Sequence, residues 1–558
     1  MTPPDAPPLE PGPLEPGPLE PGPLDAPLAS ARPSGDGRRD GTPVLAPHRS
    51  LTDRQVRVLL TSVLVVATCG LLYELIVGTL SSYLLGNSTL HFSLTIGGFM
   101  TAMGIGSLLS RRVEGDPLAA FVGVELAIGV AGGGSAAALY AAYSYAPLAY
   151  HAVMAGAVLV IGGLVGLEIP LVARVLDAAG RQRRDTVATV LAVDYLGALV
   201  AALAFPLVLL PTLGVLRTSF VTGAINLGVV VACLWAFRRA LGGAWRPLAL
   251  ATAALAVPLV AGAVGAGWLA DRLEAKLYRA PIVYTEQSPY QRLVVTRGRN
   301  GDTRLFLDGA LQFATSDEYR YHEALVHPAL ALAARRRHVL VLGGGDGLAV
   351  REVLKWPDVE AVTLVDLDPA VTDLAQRHPA LLDANRGALA DARVTIATDD
   401  AYRFVEAGGP TFDAVVVDLP DPNHEALAKL YSRPFYALLR QRLGAGATVA
   451  VQSTSPYFAR EAFWSIVATA EAAGLHPVPY HVYVPSFGDW GFFVGSTHAV
   501  RPERFRLADG LATRFLTPGE FKAARTFSPD VDRLDVEVNT LDDPVLLRYY
   551  EQGWKRWE

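Results

Sequence analysis

Long apolar runs separated by short polar segments dominate the chain up to about residue 270. A helix that crosses the hydrocarbon core of a bilayer needs about 20 mostly apolar residues. About seven runs meet this requirement, and they centre near Val65, Ile96, Ile128, Val158, Leu199, Val229 and Leu255. One such run could be a buried helix of a soluble protein, but seven in succession predict a multi-pass α-helical membrane domain over residues 49–270.

The first 48 residues have a different composition, because they repeat LEPGP in steps of five and are dense in Pro and Gly. Such a segment cannot supply enough apolar side chains for a packed core. We therefore expect residues 1–48 to form a disordered or polyproline-II-like tail. The segment also lacks the short apolar stretch of a cleavable signal peptide.

Basic residues concentrate in alternate loops between the apolar runs. The loops near residues 86–89 and 143–150 contain no Lys or Arg, whereas the other loops and the N-terminal flank carry Arg49, Arg54, Arg57, Arg111, Arg112, Arg181, Arg183, Arg184, Arg238, Arg239 and Arg246. Since basic loops stay in the cytoplasm, this pattern places the N-terminus inside. Seven spans would then place the second half of the chain outside, although Arg272, Lys276 and Arg279 after the last run favour the inside.

Four acidic residues fall within or near the apolar runs, and they are Glu74, Glu125, Glu168 and Asp194. Ionisable groups are costly in hydrocarbon and usually mark a pathway or a paired site. One hypothesis is a pocket for a multivalent organic cation. The alternative is structural, with each carboxyl group paired to an Arg or a hydroxyl group between helices, or placed near the membrane interface.

From about residue 281 the pattern changes to short strands and helices. Residues 290–296 and 304–307 alternate in polarity, which predicts a small β-subdomain with a connecting helix over residues 281–330. Four strand segments then alternate with helical patterns, at residues 339–347, 361–369, 393–401 and 412–422. This rhythm predicts a doubly wound α/β domain of the methyltransferase-like Rossmann type over residues 331–520, followed by a C-terminal extension at residues 521–558.

Composition and charge exclude several classes of function. The net charge of −6 argues against a nucleic-acid partner. The chain has 2 cysteines, Cys69 and Cys233, and both lie inside apolar runs. A disulfide framework or a zinc site is therefore not expected, and no other metal site is predicted.

Acidic residues follow each of the four predicted parallel strands, where ligands bind in doubly wound sheets. They are Asp346, Asp366, Asp399, Asp400, Asp418 and Asp421. One Asp after a strand is explained by helix capping, but four successive strand ends are harder to explain that way. Asp366 is placed to bind two ribose hydroxyl groups, and Asp400 is placed to meet the amino group of a purine. Together with the glycine turn at residues 343–345, they predict a nucleoside that is bound without phosphate contacts.

Several segments together resemble the spermidine and spermine synthase family. They are YQ at 290–291, LDGALQ at 307–312, DEYRYHEALVHPAL at 317–330 and GGGDGLAVREV at 343–353. The first half resembles the transmembrane region that is fused to this enzyme in some bacteria, so the chain looks like a membrane-bound polyamine aminopropyltransferase. The resemblance implies transfer of the aminopropyl group of decarboxylated S-adenosylmethionine to putrescine, which yields spermidine and methylthioadenosine.

The resemblance also implies a role for each matching position. Asp418 would accept the proton of the attacking amine. The donor would be bound by Gln291, Asp346, Asp366, Asp400 and Ala401, and the acceptor by His322, Asp421 and Tyr483. The structural alternatives are a surface or core histidine for His322 and an aromatic residue packed beside Trp490 for Tyr483. The chain departs from the family at DLPDPNHE (418–425), where the usual Ser and the later Gly-Pro are missing.

The chemistry of the residues agrees with this resemblance. An alkyl amine has a pKa of about 10 and arrives protonated, so a carboxylate must remove its proton before it can attack. Asp346 would repel the carboxylate of ordinary S-adenosylmethionine and favour the decarboxylated donor. No metal or organic cofactor is required, and the resemblance implies a homo-oligomer. The apolar runs predict a multi-pass protein of the cell membrane, and the cytoplasmic substrates lead us to expect the catalytic domain in the cytoplasm, although seven spans would place it outside. The alternatives are a small-molecule methyltransferase and a non-catalytic polyamine transporter or sensor.

Overall fold

The computed structural model describes residues 51–85, 88–178, 183–278 and 280–557. The tail predicted at residues 1–48 lies outside the described residues, as do Arg49, Arg181 and Arg279.

The first part of the described chain is an apolar helical region. Its helices, in chain order, are α1 (Asp53–Leu85), α2 (Ser88–Leu109), α3 (Pro117–Tyr145), α4 (Tyr150–Ala178), α5 (Arg183–Ala204), α6 (Leu210–Ala236), the short α7 (Arg238–Leu241) and α8 (Trp245–Leu277). One cluster of buried apolar side chains holds the helices together. Many large apolar side chains on their outer surface stay exposed, among them Leu199, Val231, Leu250 and Val264.

Six helical stretches in the described residues are long and apolar enough to cross a membrane, compared with the predicted number of about seven. The difference lies in α5 and α6, which are joined through a π-helical turn into one stretch of 50 residues, Val187–Ala236. At 1.5 Å per residue this stretch would be about 75 Å long as a straight helix, far longer than a bilayer core of about 30 Å. The backbone leaves helical geometry at Gly214 (φ 70°, ψ 169°), and both α5 and α6 pack against α1. The runs predicted near Leu199 and Val229 therefore lie on two different helices.

Two of the four acidic residues of the helical region come together. Glu125 and Glu168 are buried side by side, and Asn226 Nδ2 donates a hydrogen bond to Glu125 Oε2 at 3.2 Å. Glu74 and Asp194 are only partly buried. The structural alternative paired each carboxyl group with an Arg or a hydroxyl group, whereas Glu125 is bonded to the amide of Asn226 and lies beside Glu168.

The two ends of the helical region differ in their number of Arg residues. At one end, Gln55 Nε2 donates to Ala236 O (3.1 Å) and Arg174 Nη1 donates to Val113 O (2.9 Å). We call this the arginine end, because its helix termini and loops carry Arg54, Arg57, Arg111, Arg112, Arg238 and Arg239. At the opposite end, Tyr83 Oη lies 3.2 Å from Tyr278 Oη, just before the chain enters the second half.

The second half begins with a small antiparallel sheet and a connecting helix. Its strands lie in the order of the chain, and they are β1 (Ile282–Gln287), β2 (Arg292–Arg297), β3 (Thr303–Leu307) and β4 (Ala310–Ala314). Helix α9 (Glu318–Leu332) then leads into the α/β domain, and 11 of its 15 residues are buried, which explains why its polar residues need partners. The predicted alternating segments 290–296 and 304–307 fall on β2 and β3.

The α/β domain has one seven-stranded sheet in the order β10-β11-β9-β8-β5-β6-β7. Its strands are β5 (His338–Gly343), β6 (Ala361–Asp366), β7 (Val394–Thr398), β8 (Phe412–Asp418), β9 (Leu443–Gln452), β10 (Val478–Val484) and β11 (Gly488–Gly495). Its helices are α10 (Leu348–Val353), α11 (Pro369–Arg377), α12 (Pro379–Asn385), α13 (Ala401–Glu406), α14 (Glu425–Ala428), α15 (Arg433–Gln441), α16 (Arg460–Ala472), α17 (Pro518–Ala523) and α18 (Val545–Trp554). The five strands β5 to β9 pair with their neighbours in parallel, as the alternation of strands and helices predicts. Strands β11 and β10 extend the sheet beyond β9 as an antiparallel edge.

The central strands read as apolar runs because both faces of the sheet are covered. Val339 and Val341 of β5 belong to one core cluster, whereas Leu340 and Leu342 belong to the cluster on the opposite face. A strand alternates its side chains between the two faces, so continuous burial requires continuous apolar sequence. The chain leaves β5 towards β6 and β7 and then returns to β8 on the other side, which makes the gap between β5 and β8 the switch point of the sheet.

Candidate active site

The switch point opens into a cavity of about 1040 Å³ at the carboxyl ends of the strands. Gly343 at the end of β5 pairs with Asp418 at the end of β8, so the glycine turn and the predicted base come from adjacent strands. All nine residues predicted from the sequence line this cavity, and they are Gln291, His322, Asp346, Asp366, Asp400, Ala401, Asp418, Asp421 and Tyr483.

The glycine turn lets Asp418 approach the backbone of β5. Gly343 has φ 77° and Gly344 has φ 67°, both in the left-handed region that disfavours side chains. A Cβ atom on Gly343 would overlap Asp418 O, and one on Gly344 would lie 2.9 Å from Asp418 Oδ2. The two glycines are therefore required by both backbone conformation and contact.

Asp418 is held by a tyrosine. Tyr321 Oη, on α9, donates a hydrogen bond of 2.6 Å to Asp418 Oδ1. Burial raises the pKa of the Asp418 carboxyl above its usual range, although His322 and the hydrogen bond from Tyr321 oppose this shift. A carboxylate with a raised pKa is a stronger base, which suits it to remove a proton from an amine.

Asp346 and His322 form the next part of the cavity wall. Asp346 is 9% exposed, and its Oδ1 accepts a hydrogen bond of 2.9 Å from Leu348 N. Burial raises the pKa of Asp346 to about 6, with His322 opposing and Asp418 adding to the shift. His322 is buried rather than on the helix surface, and its Nδ1 lies 3.0 Å from Glu318 Oε2.

The charge on His322 follows from its neighbours. Burial alone would lower its pKa, but the hydrogen bond and charge of Glu318, together with Asp346 and Asp418, raise the pKa of His322 to about 9. Arg351 Nη2 also binds Glu318 Oε2 at 2.8 Å. Burial opposes ionisation of Glu318, but His322 and Arg351 outweigh it and lower the pKa of Glu318 to about 2. His322 is therefore a cation between carboxylates at neutral pH.

The end of the cavity that is predicted to bind a nucleoside is built on β6 and β7. Asp366 accepts hydrogen bonds from Gly345 N (2.9 Å) and Asp368 N (3.0 Å), which fix its carboxylate at the strand end. Burial raises the pKa of Asp366 to about 6, although these backbone hydrogen bonds oppose the shift. Gln291 reaches this end from the small sheet, where its Nε2 donates to Asp368 Oδ2 at 3.0 Å.

Asp400 behaves differently from the other predicted donor ligands. Its Oδ1 caps α13 by accepting a hydrogen bond from Tyr402 N at 2.7 Å, and its Oδ2 binds Lys429 Nζ at 2.8 Å. Burial opposes ionisation, but Lys429 and the backbone amides outweigh it and lower the pKa of Asp400. The capping alternative thus describes part of what Asp400 does, while Ala401, the first residue of α13, lies buried beside it.

The other end of the cavity is formed by Asp421 and Tyr483. Thr454 Oγ1 donates to Asp421 Oδ2 at 2.9 Å, and Gln452 Nε2 donates to Asp421 Oδ1 at 3.3 Å. Burial raises the pKa of Asp421 to about 6 against these hydrogen bonds. Tyr483 is 60% exposed, so it does not have the packed surroundings of the structural alternative, whereas Trp490 is buried against Phe487 at a ring distance of 5.0 Å.

Sequence reasoning missed several residues that contact the predicted ones. Tyr321 lies inside a segment that resembles the family, and its position directly before His322 was the available signal. Asp368 accepts the hydrogen bond from Gln291, and it follows the end of β6 just as the predicted carboxylates follow their strands. Tyr550 of α18 also lines the cavity, but no sequence motif connects it to residues more than a hundred positions earlier.

The charged side chains that line the cavity suit a cationic ligand. The cavity is rich in carboxyl groups, and His322 and Lys429 are the cations that balance part of their charge. The acidic residues that line it are Asp308, Asp346, Asp366, Asp400, Asp418, Asp421 and Asp489. Among the described residues, no group of three or more His, Cys, Asp or Glu side chains is arranged to hold a metal ion. The arrangement can bind a cationic ligand and accept a proton from it.

Comparisons with known proteins agree with this chemistry. The Spermine/spermidine synthase domain matches residues 318–503. Polyamine aminopropyltransferase 2 of Ralstonia nicotianae is 46% identical over 504 residues, which cover 89% of this chain and 98% of that protein. The polyamine aminopropyltransferases of Leptospira interrogans and Mycobacterium tuberculosis are each 42% identical, over 89% and 90% of this chain and 98% of their own lengths.

Two solved structures are similar to part of the chain. A spermidine synthase in complex with the transition-state analogue AdoDATO aligns with a TM-score of 0.41 and 23% identity, over 44% of this chain and 85% of that chain. The spermidine synthase of Thermotoga maritima aligns with a TM-score of 0.40 and 21% identity, over 44% of this chain and 84% of that chain.

Proposed function

Because the chain belongs to the polyamine aminopropyltransferase family, we propose that it transfers the aminopropyl group of decarboxylated S-adenosylmethionine to putrescine and releases spermidine and methylthioadenosine. The observation that carries this proposal is the convergence of Asp346, Asp366 and Asp418 on one cavity. Family membership establishes an aminopropyltransferase, and the identity of the acceptor is our proposal.

The reaction joins the acceptor nitrogen to the carbon next to the sulfonium. Asp418 takes a proton from the acceptor ammonium, and the freed lone pair attacks that carbon while its bond to sulfur breaks. The sulfonium becomes the neutral thioether of methylthioadenosine, so the leaving group needs no proton. Because the sulfonium is already activated, positioning of the two substrates supplies much of the rate. Tyr321 supports this step by holding one oxygen of Asp418 and leaving the other towards the glycine turn.

Asp346 explains the choice of donor. The decarboxylated donor ends in a cationic amine, which a buried carboxylate attracts, whereas the carboxylate of S-adenosylmethionine would be repelled there. Asp366, Gln291, Asp400 and Ala401 complete the donor site in this proposal, with Asp366 on the ribose. Asp421 and Tyr483 bind the acceptor in this proposal, and His322 lines the acceptor side as the cation that balances Asp346 and Asp418. No metal or organic cofactor takes part in the proposed reaction, and assembly as a homo-oligomer stays a prediction from the family resemblance.

We further propose that α1–α6 and α8 embed the enzyme in a cell membrane. Their length, their apolar composition and the exposed apolar surface of the outer helices support this placement. The arginine end would face the cytoplasm by the positive-inside rule, and the second half joins the opposite end. The arginine end therefore favours a catalytic half outside the cytoplasm, whereas Arg272 and Lys276 beside that half, together with the cytoplasmic substrates, favour the inside.

A product assay on the purified full-length protein tests the proposed reaction. The protein is incubated with putrescine and with either decarboxylated or ordinary S-adenosylmethionine, and both nucleoside products are measured by mass spectrometry. Release of methylthioadenosine with spermidine only from the decarboxylated donor supports the proposal. Release of S-adenosylhomocysteine identifies a methyltransferase, and polyamine binding without either product identifies a sensor or transporter.

A further inference from the structure

The C-terminal extension returns to the cavity along α16. Trp464 Nε1 donates to Val531 O (3.0 Å), and Ser465 Oγ donates to Glu537 O (2.8 Å). Asn539 is fully buried, where its Nδ2 donates to Ala428 O at 2.9 Å. These hydrogen bonds fix the path of the chain up to the start of α18.

Helix α18 is packed too closely to be a loose appendage. Leu546, in the first turn of α18, is fully buried in the core cluster that contains Leu340 and Leu342 of β5. A Cβ atom on Gly553 would lie 2.6 Å from Ala459 Cα, so only glycine allows the helix to sit at this distance. The ring of Trp554 stacks on Phe458, with centroids 5.0 Å apart and planes at 22°. The position of α18 is therefore defined by close packing along its length.

The inner face of α18 lines the cavity beside Asp421. Tyr550 lies beside the Asp421 carboxylate, and Tyr550, Trp554 and Phe458 all line the cavity. Asn423, two residues after Asp421, lines it as well, and its buried Oδ1 has no hydrogen-bond partner among the described residues. A buried oxygen without a partner costs free energy unless a ligand supplies a donor.

An acceptor with an amine at each end places two different demands on the enzyme. The reacting nitrogen must lose a proton near Asp418, while the distal nitrogen stays protonated and needs a counter-charge. Asp421 supplies the charge, Asn423 Oδ1 supplies a free acceptor, and the stacked rings of Phe458 and Trp554 supply aromatic surface, which attracts cations. Asp421, Asn423, Phe458 and Trp554 all line the same cavity as Asp418.

We propose that α18 closes the acceptor side of the active site, with Tyr550 positioning Asp421 against the distal ammonium group and Trp554 limiting the length of the acceptor. This inference rests on the proposed aminopropyl transfer. It assigns a role in substrate choice to the C-terminal extension, whose sequence contains no motif for it.

Tyr550→Phe removes only the hydroxyl group, and Tyr549→Phe is the matched control. Tyr549 is on the same helix and donates to Glu537 Oε1 at 3.1 Å, away from the cavity. Full-length enzyme in detergent is assayed for methylthioadenosine release with an α,ω-diamine series and with the monoamine of the same carbon chain. We expect Tyr550→Phe to raise the KM for the diamines about tenfold, which corresponds to one hydrogen bond to a charged group, while the monoamine and donor KM values stay near wild type.

Trp554→Ala tests the limit on length. Its removal should shift the kcat/KM profile towards acceptors with longer carbon chains, and Trp554→Phe, which keeps an aromatic ring against Phe458, should restore most of the wild-type profile. Thermal unfolding of each variant shows whether it still folds. If Trp554→Ala does not fold, the chain-length profile of Trp554→Phe and the KM values of Tyr550→Phe test the inference instead.

Three outcomes would overturn the inference. They are a diamine-to-monoamine preference that Tyr550→Phe leaves unchanged, an equal loss in Tyr549→Phe, and a chain-length profile that is the same with and without Trp554. Absence of methylthioadenosine release by the wild-type enzyme with every amine would instead overturn the proposed function. Calorimetric binding of the diamine to wild type and Tyr550→Phe gives a readout that does not depend on turnover.

Discussion

Replacing Asp418 by Asn tests the central step of the proposed reaction. Asn keeps an oxygen that can accept the 2.6 Å hydrogen bond from Tyr321, so the local geometry should survive. It cannot accept a proton from the acceptor ammonium. General-base catalysis contributes about 10²- to 10⁴-fold to rate, so we expect kcat to fall by that factor, which is about 3 to 5 kcal/mol of transition-state stabilisation.

The assay is methylthioadenosine release at saturating donor and acceptor, with donor affinity measured separately by calorimetry. Donor affinity should stay close to that of the wild type, because Asp366 and Gln291 are untouched. Tyr321→Phe is the matched control, since it removes the hydrogen bond and leaves the carboxylate, and it should cost about tenfold or somewhat more. Unchanged turnover in Asp418→Asn would exclude Asp418 as the base.

The dependence on pH gives the same hypothesis a second test. The wild-type kcat/KM should fall as the pH drops through the pKa of Asp418, because the protonated carboxyl group cannot accept a proton. Burial raises that pKa above the usual range of an Asp, so the decline should begin at a higher pH than for an exposed Asp. The low-pH decline should weaken in Asp418→Asn, and a decline of the same midpoint and depth in the variant would assign it to another group.

Three further predictions concern donor choice, the glycine turn and membrane orientation. Asp346→Ala should weaken binding of the decarboxylated donor more than that of S-adenosylmethionine in calorimetry, and equal weakening of both would contradict our account of donor choice. Gly343→Ala should lower the free energy of unfolding by about 1 to 3 kcal/mol and abolish turnover. Gly387→Ala is its control, because Gly387 also has a positive φ (68°) but no atom lies within 4 Å of a new Cβ, so it should lose only about 1 kcal/mol from backbone strain. Membrane orientation is tested in sealed vesicles whose cytoplasmic face is inside. If the arginine end faces the cytoplasm, protease added outside should digest the catalytic half. Digestion of that half only after the vesicles are opened would place it in the cytoplasm.

The parts of the site that could be predicted are those that local sequence determines. A carboxylate after a parallel strand lies at the ligand-binding edge wherever the sheet is doubly wound, so Asp346, Asp366 and Asp418 could be placed together before any coordinates. The Rossmann-like fold and the small antiparallel sheet followed from strand and helix periodicity in the same way. The presence of long apolar helices in the first half followed from the length and composition of the apolar runs.

The parts that could not be predicted depend on long-range packing. Nothing local to Tyr550 indicates that its helix turns back onto Asp421, since that path depends on Asn539 and the hydrogen bonds along α16. The exact number of spans depended on a break at Gly214, where a Gly in an apolar run gives no sign of whether the helix continues or turns. The ion pair between Asp400 and Lys429 also required knowledge of which loop crosses the end of β7.

The charge on His322 changes how its predicted role is understood. Sequence resemblance implies that His322 contacts the acceptor, yet its pKa of about 9 makes it a cation at neutral pH, and a cation repels an ammonium group. Its buried ring is bound to Glu318 and its charge is balanced by Asp346 and Asp418, whose own pKa values would rise further without it. His322 is therefore better suited to keeping these two carboxylates ionised than to holding the acceptor by charge. The charge of the acceptor is then met by Asp421 beside α18, and the histidine keeps the base available to the acceptor.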